Sequence, residues 1–246
     1  MKKKIALVTG AGSGIGKSVA IFLAKNDYFV ILLARNEEKL KNVKTQIEKT
    51  KNSSTYYSVD VSNSMEVQSC IDNIISKYGH IDLLFNNAGI VKQGTTTLSD
   101  NEIDELLKIN LNGAIYVAKY IAKQMKKQKD GYIVNMSSMG GKTAASFAGI
   151  YAASKFGLSG FSEALAKEMS SYNVKVTNLC PHMTATEMTA KRKFKSEKMI
   201  QTDDICKTIS YLLNLSKNAV PLEILIHCMT FIKRDALASY KTYGFK

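Results

Sequence analysis

Tryptophan, proline and paired cysteines are rare or missing in this chain of 246 residues, which has no Trp, two Pro and four Cys. The thiols of Cys70, Cys180, Cys206 and Cys228 form no CxxC pair and share no ligand spacing with histidine. This pattern argues against a disulfide framework and a zinc site, and it favours reduced thiols and a cytoplasmic location. With so little proline and no low-complexity stretch, nothing marks a linker, so we expect one domain over residues 1–246.

Long apolar runs are missing as well. After the basic residues at the start, the apolar run covers only Ile5 to Val8 before the polar Thr9. That is too short for the hydrophobic region of a signal peptide, and no later segment approaches the length of a membrane span. We therefore expect neither a signal peptide nor a membrane partner.

Acidic residues are outnumbered, because 21 Asp and Glu stand against 34 Lys and Arg and give a formal net charge of +13. Nucleic-acid binding is one explanation of such a charge, but no DNA- or RNA-reading motif accompanies it. The lysines are spread along the whole chain, which is typical of solvated surfaces. We expect no nucleic-acid partner.

The sequence does contain a regular alternation of apolar strands and helices. The segments typical of strands are KIALVTG, YFVILLAR, STYYSVDV, IDLLFNNAG, GYIVNMSS and VKVTNLC. Helical patterns separate them, among them 64–78, about 111–128 and a helix that begins near Tyr151. Near-continuous apolar strands joined by helices form parallel sheets that are covered on both faces. The pattern predicts an α/β fold, a doubly wound Rossmann-type parallel sheet flanked by helices.

A glycine-rich run, TGAGSGIG from Thr9 to Gly16, follows the first strand. Gly10, Gly14 and Gly16 lie between a strand and a helix, where they allow a tight turn and a close approach to a pyrophosphate. Free N–H groups and the helix dipole favour an anion at that place. The run indicates a dinucleotide site, and the alternative is a glycine-rich turn without a ligand.

A tyrosine and a lysine one helical turn apart indicate catalysis. Lys155 follows Tyr151 by four residues, so both side chains share a helix face, and Ser138 precedes the tyrosine by thirteen residues. A nearby ammonium favours the phenolate and should lower the phenol pKa from its usual value of about 10. We expect Tyr151 to act as a general acid/base while Ser138 holds a substrate oxygen.

These motifs resemble the short-chain dehydrogenase/reductase family over essentially the whole chain. The matching pieces, in order, are TGAGSGIG, the DV pair at Asp60, NNAG at Asn86 to Gly89, the IN pair at Ile109, the serines at Ser137 and Ser138, YAASK at Tyr151 to Lys155, and Pro181. The resemblance implies an oxidoreductase that moves a hydride between a nicotinamide cofactor and a substrate carbon. It also implies a homodimer or homotetramer.

The resemblance assigns roles to the matching residues. Catalysis is implied for Ser138, Tyr151, Lys155 and Asn110, the last through a water that connects the lysine to solvent, with Ser137 as a supporting neighbour. Cofactor binding is implied for Gly10, Ser13, Gly14, Ile15, Gly16, Arg35, Asp60, Val61, Asn87, Ala88, Gly89, Tyr151, Lys155, Pro181, Thr184 and Thr186. No metal ligand is among them. We expect Asp60 and Val61 to end the third strand beside the adenine, and Asn87 and Gly89 to end the fourth.

The end of the second strand predicts which cofactor is used. An acidic residue about 20 positions after the glycines would bind a ribose 2′-hydroxyl, whereas an Arg accommodates a 2′-phosphate. Here Ala34 is followed by Arg35, and the first carboxylate is that of Glu37. Because a guanidinium binds phosphate in a bidentate geometry, we expect NADP(H) in preference to NAD(H).

Two places depart from the family pattern. His182 follows Pro181 where relatives commonly have glycine, so we expect His182 to adopt an ordinary conformation or to face the nicotinamide pocket. The segment EILIHCMTF is expected to be the last strand, and it lacks the Asp-Gly-Gly of many relatives. That difference puts the standard tetramer contacts in doubt.

Substrate selection is expected from a mobile lid near residues 186–200. Met183, Met188, Phe147 and Phe194 are candidates for an adaptable apolar wall. The basic residues in or near the lid are Lys191, Arg192, Lys193, Lys195 and Lys198. They either attract an acidic or phosphorylated acyl carrier or form a solvated surface.

The sequence leaves three functions open. The first is an NADP(H)-dependent oxidoreductase acting on a small carbonyl compound or hydroxy acid. The second is a 3-oxoacyl-[acyl-carrier-protein] reductase of fatty-acid synthesis. The third is a cofactor-binding regulator without turnover, against which the complete set of catalytic residues argues.

Overall fold

Seven parallel strands form one sheet in the order β3-β2-β1-β4-β5-β6-β7 in the computed structural model, which describes residues 3–190 and 194–233. The strands are β1 (Ile5–Thr9), β2 (Phe29–Ala34), β3 (Ser54–Ser58), β4 (Leu83–Asn86), β5 (Gly131–Met136), β6 (Val174–Pro181) and β7 (Glu223–Ile226). The strand order reverses between β1 and β4, and ligands of such sheets bind at this switch point, beyond the carboxyl ends of the strands. The prediction of a doubly wound α/β sheet is confirmed.

Helices cover both faces of this sheet. They are α1 (Gly14–Lys25), α2 (Glu37–Glu48), α3 (Ser64–Tyr78), α4 (Asp100–Leu107), α5 (Ala114–Gln128), α6 (Gly149–Ser170) and α7 (Thr202–Asn214). One face packs against α1, α2 and α7, and the other against α3, α5 and α6. A π-helical turn, Lys108–Gly113, joins α4 to α5, and short 3-10 turns lie at Met139–Gly141, Glu187–Thr189 and Ser196–Lys198.

The sequence of β1 does not alternate between apolar and polar residues, and the burial of the strand explains why. All five of its residues are buried, with Leu7 in the core on one face of the sheet and Val8 in the core on the other. A strand that is covered on both faces therefore needs apolar side chains at nearly every position. This burial on both sides makes the sheet a rigid support for the loops at its carboxyl edge.

Several element ends differ from those expected. β3 ends at Ser58 and β4 at Asn86. The residues expected at these two strand ends therefore lie in the following loops, namely Asp60 and Val61 after β3, and Asn87 and Gly89 after β4. Asp60 turns the chain, because its carboxylate accepts hydrogen bonds from the Ser62 N–H at 2.9 Å and hydroxyl at 2.8 Å. The helical stretch expected from about residue 111 is present, but it begins as the π-helical turn Lys108–Gly113 and becomes the α-helix α5 at Ala114.

The C-terminal strand is shorter than expected. β7 covers only Glu223–Ile226 at the edge of the sheet, and a helical segment begins at Met229. The expected strand over EILIHCMTF is therefore wrong in its second half. Within the described ranges, no helix combines the length and apolarity that crossing a membrane requires.

Candidate active site

The glycine-rich turn between β1 and α1 has the shape of an anion cradle. Gly10 has a φ of +65°, and a Cβ on Gly16 would lie 2.2 Å from the Gly10 carbonyl oxygen, so both positions require glycine. Ser13 precedes α1 without capping it through its side chain, and the first turn carries no acidic residue. The N–H groups at the start of α1, including that of Ile15, therefore lie in a field that favours a pyrophosphate.

Thr9 connects this turn to the loop after β4. Its buried hydroxyl accepts hydrogen bonds from the N–H groups of Asn87 at 2.8 Å and Ala88 at 2.9 Å. The Asn87 amide in turn donates to the Thr9 carbonyl at 3.1 Å. Sequence reasoning gave Thr9 no role, although a hydroxyl in an otherwise apolar strand was a signal.

Asn110 is fully buried in the π-helical turn and fixes the loop after β4. Its Oδ1 accepts from the Ile90 N–H at 2.7 Å, and its Nδ2 donates to the Ile90 carbonyl at 2.9 Å and to Ser154 Oγ at 3.3 Å. A Cβ on Gly89 would lie 3.2 Å from Asn110 Oδ1 and 3.7 Å from Lys155 Nζ. The side chains of Asn110 and Lys155 therefore both border Gly89, and the water relay stays a prediction.

Lys155 is a buried ammonium on α6, and only 4% of the residue is exposed. Its Nζ donates to the Met136 carbonyl at 2.9 Å and lies 5.9 Å from the centre of the Tyr151 ring. Burial lowers the pKa of Lys155 to about 8. An ammonium has three N–H donors, so the bond to Met136 leaves capacity for the hydroxyls of a ribose.

The pKa of Tyr151 moves in the direction opposite to the one expected. Burial raises this pKa, the hydrogen bond with Ser138 opposes the rise, and the nearby Cys180 adds to it. The prediction of a lowered pKa is wrong for this arrangement, because the desolvation of the phenol outweighs the opposing effect of Ser138. The phenol is therefore protonated at neutral pH.

The two adjacent serines after β5 face different groups. Ser138 Oγ accepts from the Gly140 N–H at 3.1 Å, and a Cβ on Gly140 would lie 3.0 Å from the Tyr151 ring. Ser137 Oγ donates to the Lys155 carbonyl at 3.0 Å and bonds Ser159 Oγ at 3.0 Å. Ser138 therefore lies at the phenol, while Ser137 holds the α6 backbone.

The rim beyond β2 and β3 carries the residues expected at the adenosine. Arg35 follows β2 directly and is exposed, and its carbonyl accepts from Ser58 Oγ at 2.9 Å. Val61 is buried against the π-helical turn, where a Cβ on Gly113 would lie 2.9 Å from Val61 Cγ2. The Asp60 carboxylate is engaged in its own turn with Ser62.

His182 follows Pro181 and joins an aromatic cluster that we define as His182, Phe194, His227 and Phe231. The His182 ring centre lies 4.3 Å from that of Phe231 and 5.9 Å from that of His227, and Phe194 lies 4.7 Å from Phe231. His182 is not among the described residues with positive φ, so the expected ordinary conformation is confirmed. The aromatic cluster borders the site on the side of β6 and β7.

The segment after β6 approaches the glycine-rich turn. Thr184 is buried and its carbonyl accepts from Thr189 Oγ1 at 2.7 Å, while a Cβ on Gly14 would lie 3.3 Å from Thr186 Cγ2. Further along, Cys228 Sγ donates to the Lys198 carbonyl at 2.9 Å. The segment is therefore anchored on both sides of the site.

The other residues of the predicted lid fall into two groups. Lys191, Arg192 and Lys193 lie outside the described residues. Met188 in the lid is 51% exposed and Phe147, outside the lid, is 56% exposed, and their role as an apolar wall stays a prediction. Among the described residues, no group of three or more His, Cys, Asp or Glu side chains is placed to hold a metal ion.

Comparison with known proteins shows the family of this chain. The short chain dehydrogenase family matches residues 4–197. The chain is 32% identical over 224 residues to an uncharacterized oxidoreductase of Staphylococcus aureus strain USA300, and the match covers 91% of this chain and 96% of that protein. The family match includes the glycine-rich turn, the serine pair and the tyrosine.

Solved structures have the same fold. A β-ketoacyl-[ACP] reductase from Bacteroides thetaiotaomicron superposes with a TM-score of 0.84 at 33% identity, covering 94% of this chain and 99% of that chain. A variant of the actinorhodin polyketide ketoreductase with NADPH superposes with a TM-score of 0.83 at 28% identity, covering 92% and 95%. On the family match and the relatives above 30% identity, this chain belongs to the short-chain dehydrogenase family.

Proposed function

We propose that the protein is an NADP(H)-dependent oxidoreductase that interconverts a carbonyl compound and a secondary alcohol. The observation that carries the proposal is the position of the Tyr151 phenol, which lies near the Ser138 hydroxyl and has the buried Lys155 Nζ 5.9 Å from its ring centre. Solved relatives support the cofactor, since the actinorhodin ketoreductase contains NADPH and a metagenomic short-chain oxidoreductase of 29% identity contains NADP.

The residues at the carboxyl edge of the sheet fit such a dinucleotide. The glycine-rich turn and the start of α1 would hold its pyrophosphate, and Lys155 its nicotinamide ribose. The remaining proposed contacts are Asp60 and Val61 with the adenine, Asn87, Ala88 and Gly89 with the ribose, and Pro181, Thr184 and Thr186 with the nicotinamide. When bound, the reduced nicotinamide supplies the hydride that adds to the substrate carbon.

The side chains of this protein perform the proton chemistry. In carbonyl reduction, Tyr151 donates its proton to the carbonyl oxygen as negative charge develops there. Its raised pKa keeps the phenol in the donating form at neutral pH. Ser138 orients the same oxygen by a hydrogen bond, and the Lys155 ammonium stabilises the phenolate that remains. Alcohol oxidation requires the phenolate first, so it is expected to need a higher pH.

The test is a panel of carbonyl compounds and alcohols assayed with both cofactors. We expect the larger kcat/KM with NADPH, because the exposed Arg35 can bind a 2′-phosphate and no carboxylate precedes Glu37 at the end of β2. Arg35→Ala should reduce this preference by roughly tenfold while the NADH rates of the same variant, its internal control, stay nearly unchanged. Equal or better activity with NADH in the unmutated protein would contradict the cofactor assignment.

A second candidate function is the reduction of 3-oxoacyl thioesters on an acyl carrier. The similarity to the Bacteroides thetaiotaomicron β-ketoacyl-[ACP] reductase favours it. A levodione reductase of 26% identity has the same TM-score, 0.84, so the similarity of fold alone does not choose the substrate. Comparing kcat/KM for a carrier-linked 3-oxoacyl thioester and a small ketone separates the candidates, and the absence of any turnover would favour a regulator.

We also propose a homo-oligomer, which light scattering of the purified protein tests.

A further inference from the structure

An ion pair crosses the glycine-rich turn between two distant parts of the chain. Lys39 Nζ in the first turn of α2 lies 2.9 Å from Glu187 Oε2 in the segment after β6. The lysine side chain is 49% exposed and that of the glutamate 71%. The two residues are separated by 148 positions, so the fold alone brings them together.

The position of Lys39 places its charge at the rim of the proposed cofactor site. A Cβ on Gly12 would lie 3.1 Å from Lys39 Cβ and 3.9 Å from Ala34 Cβ, so the lysine stem crosses the turn beside the end of β2. Arg35 follows Ala34 there and is exposed. The Lys39 stem therefore lies next to the glycine-rich turn, and the exposed Arg35 follows the residue that borders it.

Glu187 approaches the same place from the other side. It follows Thr186, whose Cγ2 lies 3.3 Å from where a Cβ on Gly14 would be. The carboxylate of Glu37, also near the end of β2, is engaged elsewhere, since it pairs with Lys41 at 2.9 Å and accepts from the Tyr56 hydroxyl at 3.2 Å. Glu187 is thus the counter-ion of Lys39 at the rim.

The ion pair between Lys39 and Glu187 can be broken at little cost when a stronger partner for Lys39 binds. Ion pairs between exposed side chains contribute little to stability, because water and salt screen them and both side chains lose freedom. A phosphate monoester carries more charge than a carboxylate and offers three strong acceptor oxygens. A phosphate at this rim is therefore a better partner for Lys39 than Glu187 is.

We propose that Lys39 binds the 2′-phosphate of NADP(H) together with Arg35, and that Glu187 is a built-in competitor for Lys39. When a cofactor with a 2′-phosphate binds, Lys39 changes partner from Glu187 to the phosphate. A cofactor with a free 2′-hydroxyl leaves the ion pair in place. The inference rests on the dinucleotide site of the proposed function, and it adds two residues that set cofactor selectivity.

Calorimetric titration of the full chain with adenosine 2′,5′-bisphosphate and with AMP tests this without turnover. We expect Lys39→Met to weaken the binding of adenosine 2′,5′-bisphosphate by roughly tenfold and that of AMP by less than about twofold. The reason is that only the bisphosphate has the 2′-phosphate. Glu187→Gln should strengthen the bisphosphate by roughly threefold, and this gain should disappear in the Lys39→Met background and shrink as salt rises.

Lys41→Met is the matched control, because Lys41 lies on the same helix and pairs with Glu37 at the same distance of 2.9 Å. It should change the binding of neither ligand. If Lys39→Met weakens both ligands alike, or if Glu187→Gln fails to strengthen the bisphosphate, the exchange is wrong and the pair only holds the segment after β6. If the unmutated protein binds neither ligand, the cofactor assignment of the proposed function falls as well.

Discussion

Lys155 and Lys39 both face the proposed cofactor site, yet one is buried in α6 and the other exposed on α2. Lys155 is 4% exposed and donates to a main-chain carbonyl, that of Met136, at 2.9 Å. Lys39 has a side chain that is 49% exposed and pairs with a surface carboxylate, that of Glu187. Burial lowers the pKa of Lys155 to about 8, so the surroundings of Lys155 change its protonation. The surroundings of Lys39 instead provide an exposed ion-pair partner that can be exchanged.

This difference separates chemistry from selectivity. Around Lys155, the side chains of Ser137 and Asn110 are buried and bond main-chain groups, which cannot exchange partners without unfolding the local structure. Such support fixes reacting groups within the tolerance that catalysis needs. Around Lys39, exposed charges can change partner at low cost, which suits the recognition of one cofactor over another. Substitutions in the first region should therefore have the larger effects.

The largest effect is expected from Tyr151→Phe in the buried region. The change removes only the hydroxyl that donates the proton, so kcat should fall by about 10²–10⁴ while the cofactor still binds. Steady-state assays together with NADPH titration measure both quantities. Tyr132→Phe is a matched control, because its buried hydroxyl bonds Thr177 Oγ1 at 2.8 Å in the core.

The control should lower stability with little loss of turnover per folded molecule. A Tyr151→Phe enzyme that kept most of its rate would move the proton transfer to another group. The pH dependence gives a second readout. Since the pKa of Tyr151 is raised, reduction should persist through neutral pH, and oxidation should increase with pH.

Spacing within one element was enough to predict the pair of Tyr151 and Lys155, because a helix places residues four apart on one face. The direction of the Tyr151 pKa was not predictable, since it depends on how deeply the fold buries the phenol and on the electrostatic effect of Cys180, which is distant in sequence. The hydrogen bonds between Asn110 and Ile90 join the π-helical turn to the loop after β4, and no periodic pattern marks them. The family resemblance therefore located the residues, while the structure supplied their energetics.

A smaller but measurable effect is expected on stability from Lys155→Met. The folded pKa of about 8 lies below the ordinary value of 10.5, so the folded chain must bury a charge at neutral pH. We expect the variant to be more stable by roughly 2 to 3 kcal/mol at pH 7, although inactive. Because the unfolded chain binds more protons between about pH 8 and 10.5, the unmutated protein gains stability over this range, and the difference should shrink.

Denaturant titrations at pH 7 and about pH 10 measure this difference. Lys167→Met on the same helix is the control, because this lysine is 70% exposed and pairs with Glu163 at 2.6 Å. It should change stability by less than about 0.5 kcal/mol at either pH. Loss of stability in Lys155→Met at pH 7 would show that the bond to Met136 outweighs the cost of burial.

The smallest effect on turnover is expected from Lys195→Glu, an exposed position in the segment after β6. Lys195 has a side chain that is 77% exposed and lies 3.9 Å from Glu197, so we expect turnover of small carbonyls to change by less than about twofold. Lys207→Glu is the matched control, with a side chain 73% exposed on α7. If Lys195→Glu instead weakens kcat/KM only for carrier-linked or coenzyme-A-linked substrates, and the loss shrinks as salt rises, then this surface steers an acidic partner. That result would put 3-oxoacyl reduction ahead of small carbonyls as the function of this protein.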